Sequence, residues 1–424
     1  MTISSARSPT PPHLRTAAPS AARHEFGAGW SVVLVAFVGI AAGLSSTFFY
    51  STGLFMKPIA EEFGWGRGDV GLGPLLTTVL TALLAPLVGR LVDRYGTWNV
   101  VLPSMAGLSA GLFLIAFATQ GFTSYLLLMG LLALLGAGTT PLPFTRAVVG
   151  AFRAHRGLAL GLAISGSGVG AALVPMFLTP YILELGWRGG YMILAAVVAA
   201  GLVVVLTLVL VARLSVGPSA AAPLAHQPAD LSSGRETPLL RDRAFLVLSA
   251  IFFLAASAIM TVIIHFVPML TDAGMTPARA GALAGTIGAA VIVGRIVAGF
   301  LLDRVRAEAL AAVLFLSVAV AMLLLLIGGA DLALAAAIAA GLGVGAEIDL
   351  MAYLAARHFP LRRYGAAYGA LYAIFLVGAS LGPTVTGYLF DFTGDYRLAL
   401  ILCAASLGGA TMLLTAIPKP RLAI

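Results

Sequence analysis

The sequence predicts an all-α membrane protein, with twelve transmembrane helices in two pseudo-symmetric six-helix bundles. Composition is the first reason: of 424 residues, 60% are hydrophobic and 10% charged, with a mean hydropathy of +1.01. Soluble domains carry about 45–50% apolar and about 25% charged residues. Apolar runs long enough to cross a bilayer also recur along nearly the whole chain, and short signatures in its first half return in its second.

A hydrocarbon core about 30 Å thick needs about 20 helical residues. Residues 1–27, rich in Pro, Ser, Ala and Arg and without periodicity, predict a disordered tail. The first apolar run, 30–53, is too long for a signal-peptide core and leads into Lys57-Pro58 rather than a small-residue cleavage site, so it predicts an uncleaved span. Spans at 69–89, 99–119, 122–145, 157–182 and 189–212 complete an N-terminal bundle of residues 28–213. Residues 214–242 turn polar and rich in Pro, Ser and Ala, which predicts a linker. The C-terminal bundle, 243–418, then holds spans at 244–270, 277–302, 308–328, 332–356, 364–389 and 396–416, and 419–424 form a short end.

Charge placement predicts orientation. With the N-terminus taken as cytoplasmic, 19 of the 25 Lys and Arg residues fall on that side. Five fall outside (Lys57, Arg67, Arg188, Arg279 and Arg397), and Arg295 lies inside a span. The excess places both termini, the linker and the loops after even-numbered spans in the cytoplasm. The net charge of +8 therefore answers to membrane orientation, not to a nucleic-acid partner. Only Lys57 and Lys419 are lysines, and that arginine bias, with abundant Ala, Gly and Leu, points to a bacterial inner membrane. The single Cys403 allows no intramolecular disulfide. The chain contains no Cys/His cluster at metal spacing, no phosphate-binding loop and no nucleophile elbow. The expectation is neither an enzyme nor a holder of metal or cofactor, and any work it does draws on ion gradients. A sensor would need an output domain, for which the tail and linker are too short.

The internal repeat is specific. GRLVDR at 89–94 returns as GFLLDR at 299–304, and Gly161, Gly170 and Pro175 return as Gly369, Gly378 and Pro383. Parallel repeats of this kind place a shared site near the midplane between the halves. The pattern G-x-L-x-D-R-x-G at Gly89–Gly96, its echo at Asp303 and Arg304, the twelve spans and the central linker resemble the major facilitator superfamily. That resemblance implies a transporter fold, with Gly89, Asp93, Arg94, Asp303 and Arg304 as conformational gating residues. Asp93 at a helix end can engage helix dipoles and arginines, although such a turn can also serve topology alone.

Arg295 is the leading candidate for the site. It lies about 10–13 Å from the helix end marked by Arg304, too deep to reach water comfortably. Its planar fork suits a carboxylate, either of a substrate or of an internal acid. Glu347 and Asp349 are the two neighbouring carboxylates within an apolar span, in GAEIDLMAYLAARHF. Two residues apart on a helix they are separated by about 200°, so one is expected on a cavity and the other against a neighbouring helix. The opposing effects of apolar burial and a nearby guanidinium make either a reasonable proton carrier, with a fixed structural pair as the alternative. His265, before Pro268, can titrate near neutral pH but also suits hydrogen-bonded packing. Tyr50 and Tyr353 pair an apolar body with one hydroxyl, useful for a small anion with an alkyl part.

Three stretches narrow the resemblance: FRAHRGLALGLAISGSGVG at 152–170, GRIVAGFLLDR around Arg295, and GAEIDLMAYLAARHF at 345–359. These are similar to the monocarboxylate transporter-like family and its bacterial relatives. The resemblance implies Arg295 as the anchor of a substrate carboxylate and coupling to a proton. The chain departs from animal members, which carry a helix 1 lysine where it has Tyr50 and an aspartate where it has Val291. Glu347 or Asp349 would have to carry the proton instead. It also resembles oxalate/formate antiporters, but residues 364–389 contain no Lys or Arg to supply their second cation. The expectation is a monomeric proton-coupled symporter of a small monocarboxylate. Anion exchange of the oxalate/formate type and efflux of amphipathic compounds are the alternatives.

Overall fold

The computed structural model describes residues 19–152, 156–212, 238–302 and 304–418. Most of the expected tail and linker, the final segment 419–424 and Asp303 lie outside the described residues. No strand occurs among the described residues.

In the N-terminal half, α1 (Pro19–Ala41), α2 (Leu44–Thr47) and α3 (Thr52–Phe63) follow one another around a 3-10 turn at Phe49–Ser51. The unit bends by 42°. Hydroxyls sustain the break: Ser46 and Thr52 donate to the carbonyls of Ile40 and Phe48, and Ser51 to that of Thr47. Returning freed carbonyls to donors is the condition for an irregular backbone at membrane depth. This first unit runs ten residues beyond the expected end at residue 53. Pro58 is accommodated within α3, and the helix stops at Gly64, whose φ of 66° closes it in the left-handed region.

Then come α4 (Arg67–Tyr95), α5 (Thr97–Ala118), α6 (Phe122–Gly136), α7 (Pro141–Ala151), α8 (Arg156–Ile164) and α9 (Gly166–Val211). The C-terminal half contains α10 (Arg243–Asp272), α11 (Pro277–Leu302), α12 (Ala307–Gly328), α13 (Ala333–His358), α14 (Leu361–Thr393) and α15 (Arg397–Leu414). Nine helical units of the described residues are long and apolar enough to cross a membrane, or ten with the bent first unit. Two of them, Leu158–Val211 and Ala307–His358, hold 54 and 52 residues, more than twice what a bilayer needs. Each turns back at a glycine of positive φ, Gly186 at 70° and Gly329 at 54°. Read as two crossings each, they bring the ten to twelve.

Two apolar clusters each belong to one half, and a third joins N-terminal residues to Ile264 of α10. One cluster is built wholly from residues after 238, with Phe252, Phe315, Leu350 and Leu371 among its members, while Met105, Phe144 and Val205 belong to a cluster built wholly from the first half.

The halves meet mainly along α4 with α14 and α9 with α11. These seams are closest at the face opposite the chain termini, here the far face. A methyl at Gly53 would run into the backbone of Ile264, one at Gly288 into Ala172, and one at Gly387 into Arg67 and Gly68. Toward the terminal face, Gly89 of α4, Gly161 of α8, Gly299 of α11 and Gly369 of α14 have no described neighbour where a side chain would begin. Among the described residues, the close contacts between the halves are those toward the far face.

Candidate functional site

The position of Arg295 follows from a close helix crossing. A methyl at Gly345 of α13 would meet the Val291 carbonyl and the Arg295 amide, and one at Gly294 would meet Leu342. Small residues let α11 and α13 touch backbone to backbone at this level. Asp349, one turn beyond Gly345, thereby stands within electrostatic reach of Arg295. Tyr50, delivered by the 3-10 turn of the first unit, and Tyr372 of α14 lie within the same reach. All four side chains are half-buried. Arg295 has no hydrogen bond and no ion pair among the described residues, so its five donors remain available. One guanidinium, one carboxyl and two phenols thus converge from both halves.

Glu347 is on another side of α13. Gly343, one turn earlier on the same stripe, faces Val318 of α12 and Ile259 of α10. Glu347 is 1% exposed, and neither carboxyl oxygen has a hydrogen-bond partner among the described residues. A carboxylate ion there would lack both donor and counter-charge. Tyr353 stands one turn past Asp349 toward the terminal face, with the Arg357 guanidinium 6.0 Å from its ring centre.

His265 does not join this group. It is fully buried in α10, where Nε2 donates to the Pro383 carbonyl at 2.8 Å and Nδ1 accepts from the Tyr396 hydroxyl at 3.2 Å. The Pro383 oxygen can only accept, which assigns the ring tautomer. Tyr396 in turn accepts from Arg67. Arg67 is the hub of the far-face closure. Its guanidinium pairs with Asp272 at 2.6 Å and lies 3.7 Å over the Phe390 ring. The Arg67 and Gly68 amides both donate to the Asp391 carboxylate at 2.7 Å, a two-point cap by α14 on the N-terminus of α4. Lys57 adds a second bridge to Asp272 at 3.2 Å, and Tyr388 donates to Asp69 at 3.1 Å. The links made by Lys57, Arg67, Gly68 and Asp69 each join one half to the other.

At the terminal face, Asp93 pairs with Arg146 within the N-terminal half. Arg94 lies over Tyr95, Arg304 over Phe300, and Gly89 faces open space. Arg306 and Arg357 pair with Glu308 within the C-terminal half. Sequence reasoning missed Tyr372 and the far-face closure. Tyr368, Tyr372 and Phe375 do share one face of α14 by their spacing, a signal that marked the wall. The closure joins residues more than 200 positions apart, such as Lys57 and Asp272, and left no local signal.

The family model of the Major Facilitator Superfamily matches residues 35–346. The chain belongs to that superfamily. Its helices and its family therefore agree on a multi-pass membrane transporter. Among curated relatives of this facilitator, monocarboxylate transporter 11 of Mus musculus is 28% identical over 405 residues, covering 93% of this chain and 88% of the relative. Monocarboxylate transporter 4 of Rattus norvegicus is 26% identical over 402 residues, covering 92% and 82%. An MFS-type transporter of Bacillus subtilis is 24% identical over 387 residues, covering 89% and 92%.

Proposed function

We propose that this facilitator is a proton-coupled symporter of small monocarboxylates in a bacterial inner membrane, working as a monomer with both termini in the cytoplasm. One observation carries the reading: Arg295 is a half-buried guanidinium without a hydrogen bond or ion pair among the described residues, placed where both halves contribute hydroxyls. A single available cation suits a single carboxylate, bound through paired N–H donors. The curated relatives named as monocarboxylate transporters support the same substrate class.

Asp349, not Glu347, carries the proton. When Asp349 is ionised it compensates Arg295 within the cavity; when it is protonated, the guanidinium is left to the incoming anion. Anion and proton then enter together, and the loaded site holds no excess charge beyond one ion pair. A near-neutral site can be enclosed at far lower cost than a lone guanidinium. The bundles 28–213 and 243–418 rock about this site, and the Gly89–Arg94 segment at the end of α4, with Arg304 in the other half, locks the opposite state. With the termini inside, the present conformation opens to the cytoplasm, its far-face closure sealing the outside.

Calorimetric titration of purified protein with propionate and lactate, in buffers of different ionisation enthalpy, tests this reading. Proton uptake is expected with anion binding, abolished by Asp349→Asn while binding persists. Arg295→Ala is expected to remove binding of both acids. Retained binding without Arg295, or proton uptake unchanged without Asp349, would overturn the assignment.

A further inference from the structure

An aromatic ladder stands beside Arg295. On α14, Tyr368 and Tyr372 stack with centroids 6.3 Å apart and planes 18° apart, and Tyr372 and Phe375 stack at 5.8 Å and 12°. Their spacing of four and three residues puts all three on one face of the helix. Phe375 belongs to the C-terminal core, while Tyr368 and Tyr372 are half-buried against that core. Tyr372 is the member within electrostatic reach of Arg295. Farther along α14 toward the far face lies a small apolar pocket lined by Phe49 and Thr52 from one half and Ser380 and Pro383 from the other.

A ligand held by its carboxylate on Arg295 therefore has its remaining atoms beside aromatic rings. A short aliphatic acid would leave most of them uncovered. A planar ring joined directly or through one carbon to the carboxylate would reach them in one of the offset-stacked or edge-to-face arrangements that aromatic pairs favour. Resting on the carboxylate reading above, we propose that the preferred substrates are aryl monocarboxylates, with Tyr372 as the aromatic contact that sets this preference.

The test compares binding to wild-type protein in detergent micelles of benzoate, cyclohexanecarboxylate and propionate. The first two share a carboxylate and a six-membered ring, and only benzoate has a π face. Benzoate is expected to bind about 3- to 10-fold more tightly than cyclohexanecarboxylate, the range that aromatic pairing supports. Tyr372→Leu should erase that ratio, and Tyr372→Phe should keep it. Because the wild-type comparison needs no variant, misfolding of Tyr372→Leu cannot obscure the answer. Equal or tighter binding of cyclohexanecarboxylate or propionate, lost in Arg295→Ala, would overturn the aryl preference and leave the carboxylate reading standing. Binding of all three acids that ignores Arg295→Ala would overturn both.

Discussion

Replacing Arg67 by Gln should open the far face. The wild-type side chain is 10% exposed and its partner Asp272 is 24% exposed, so the pair is neither a surface bridge nor a fully dry one. Exposed pairs contribute at most about 1 kcal/mol, and breaking a buried pair costs about 3–5 kcal/mol. Lys57, 41% exposed, remains to neutralise Asp272 in part, which places the loss at about 1–2 kcal/mol. The contact of the guanidinium with Phe390, at 3.7 Å, contributes about 1–2 kcal/mol more. The total of about 2–4 kcal/mol corresponds to about a 30- to 900-fold change in the ratio of closed to open far face. Spin labels at exposed Glu61 and Ala278, one in each half, report that ratio through electron–electron distance distributions. The native Cys403 is buried and does not compete for label. Arg67→Gln is expected to move the distribution to longer distances, and Arg67→Lys to do so only in part. An unchanged distribution in Arg67→Gln would refute the assignment of Arg67 as the hub of closure.

Further outcomes follow from the same geometry. Asp349→Asn should abolish accumulation driven by a proton gradient while sparing exchange of anion across liposomes, and Glu347→Gln should leave both intact. His265→Ala leaves the Tyr396 hydroxyl and the Pro383 carbonyl without their partner and should lower stability by about 1–3 kcal/mol, read as a drop in Tm, with anion affinity changed less than about 2-fold. A large loss of affinity would return His265 to the substrate site. Gly288→Val drives a side chain into the Ala172 backbone at the α9–α11 seam, so the same spin labels should report far-face opening.

The spans were legible because each needs a run of about twenty apolar residues, and Arg295 because a charge inside such a run has few explanations. The division of roles between Glu347 and Asp349 was legible only as a 200° separation. Which of them meets Arg295 depends on the touching backbones of α11 and α13 at Gly294 and Gly345, a packing fact with no one-dimensional signature. The end of the first unit was misplaced because Lys57-Pro58 reads as a boundary, whereas the lysine reaches Asp272 across the seam and the helix runs on to Phe63. Tyr372 was overlooked because tyrosines on apolar helices are ordinarily packing, and its nearness to Arg295 emerges only in three dimensions.

The central claim is that Arg295 anchors a carboxylate that moves with a proton. Purified protein in liposomes, given labelled benzoate or lactate with and without an inward proton gradient, tests it most directly. The account predicts gradient-driven accumulation that is nearly abolished in Arg295→Ala and only partly restored in Arg295→Lys, since an ammonium cannot form the paired contacts of a guanidinium. Full uptake by Arg295→Ala would contradict it.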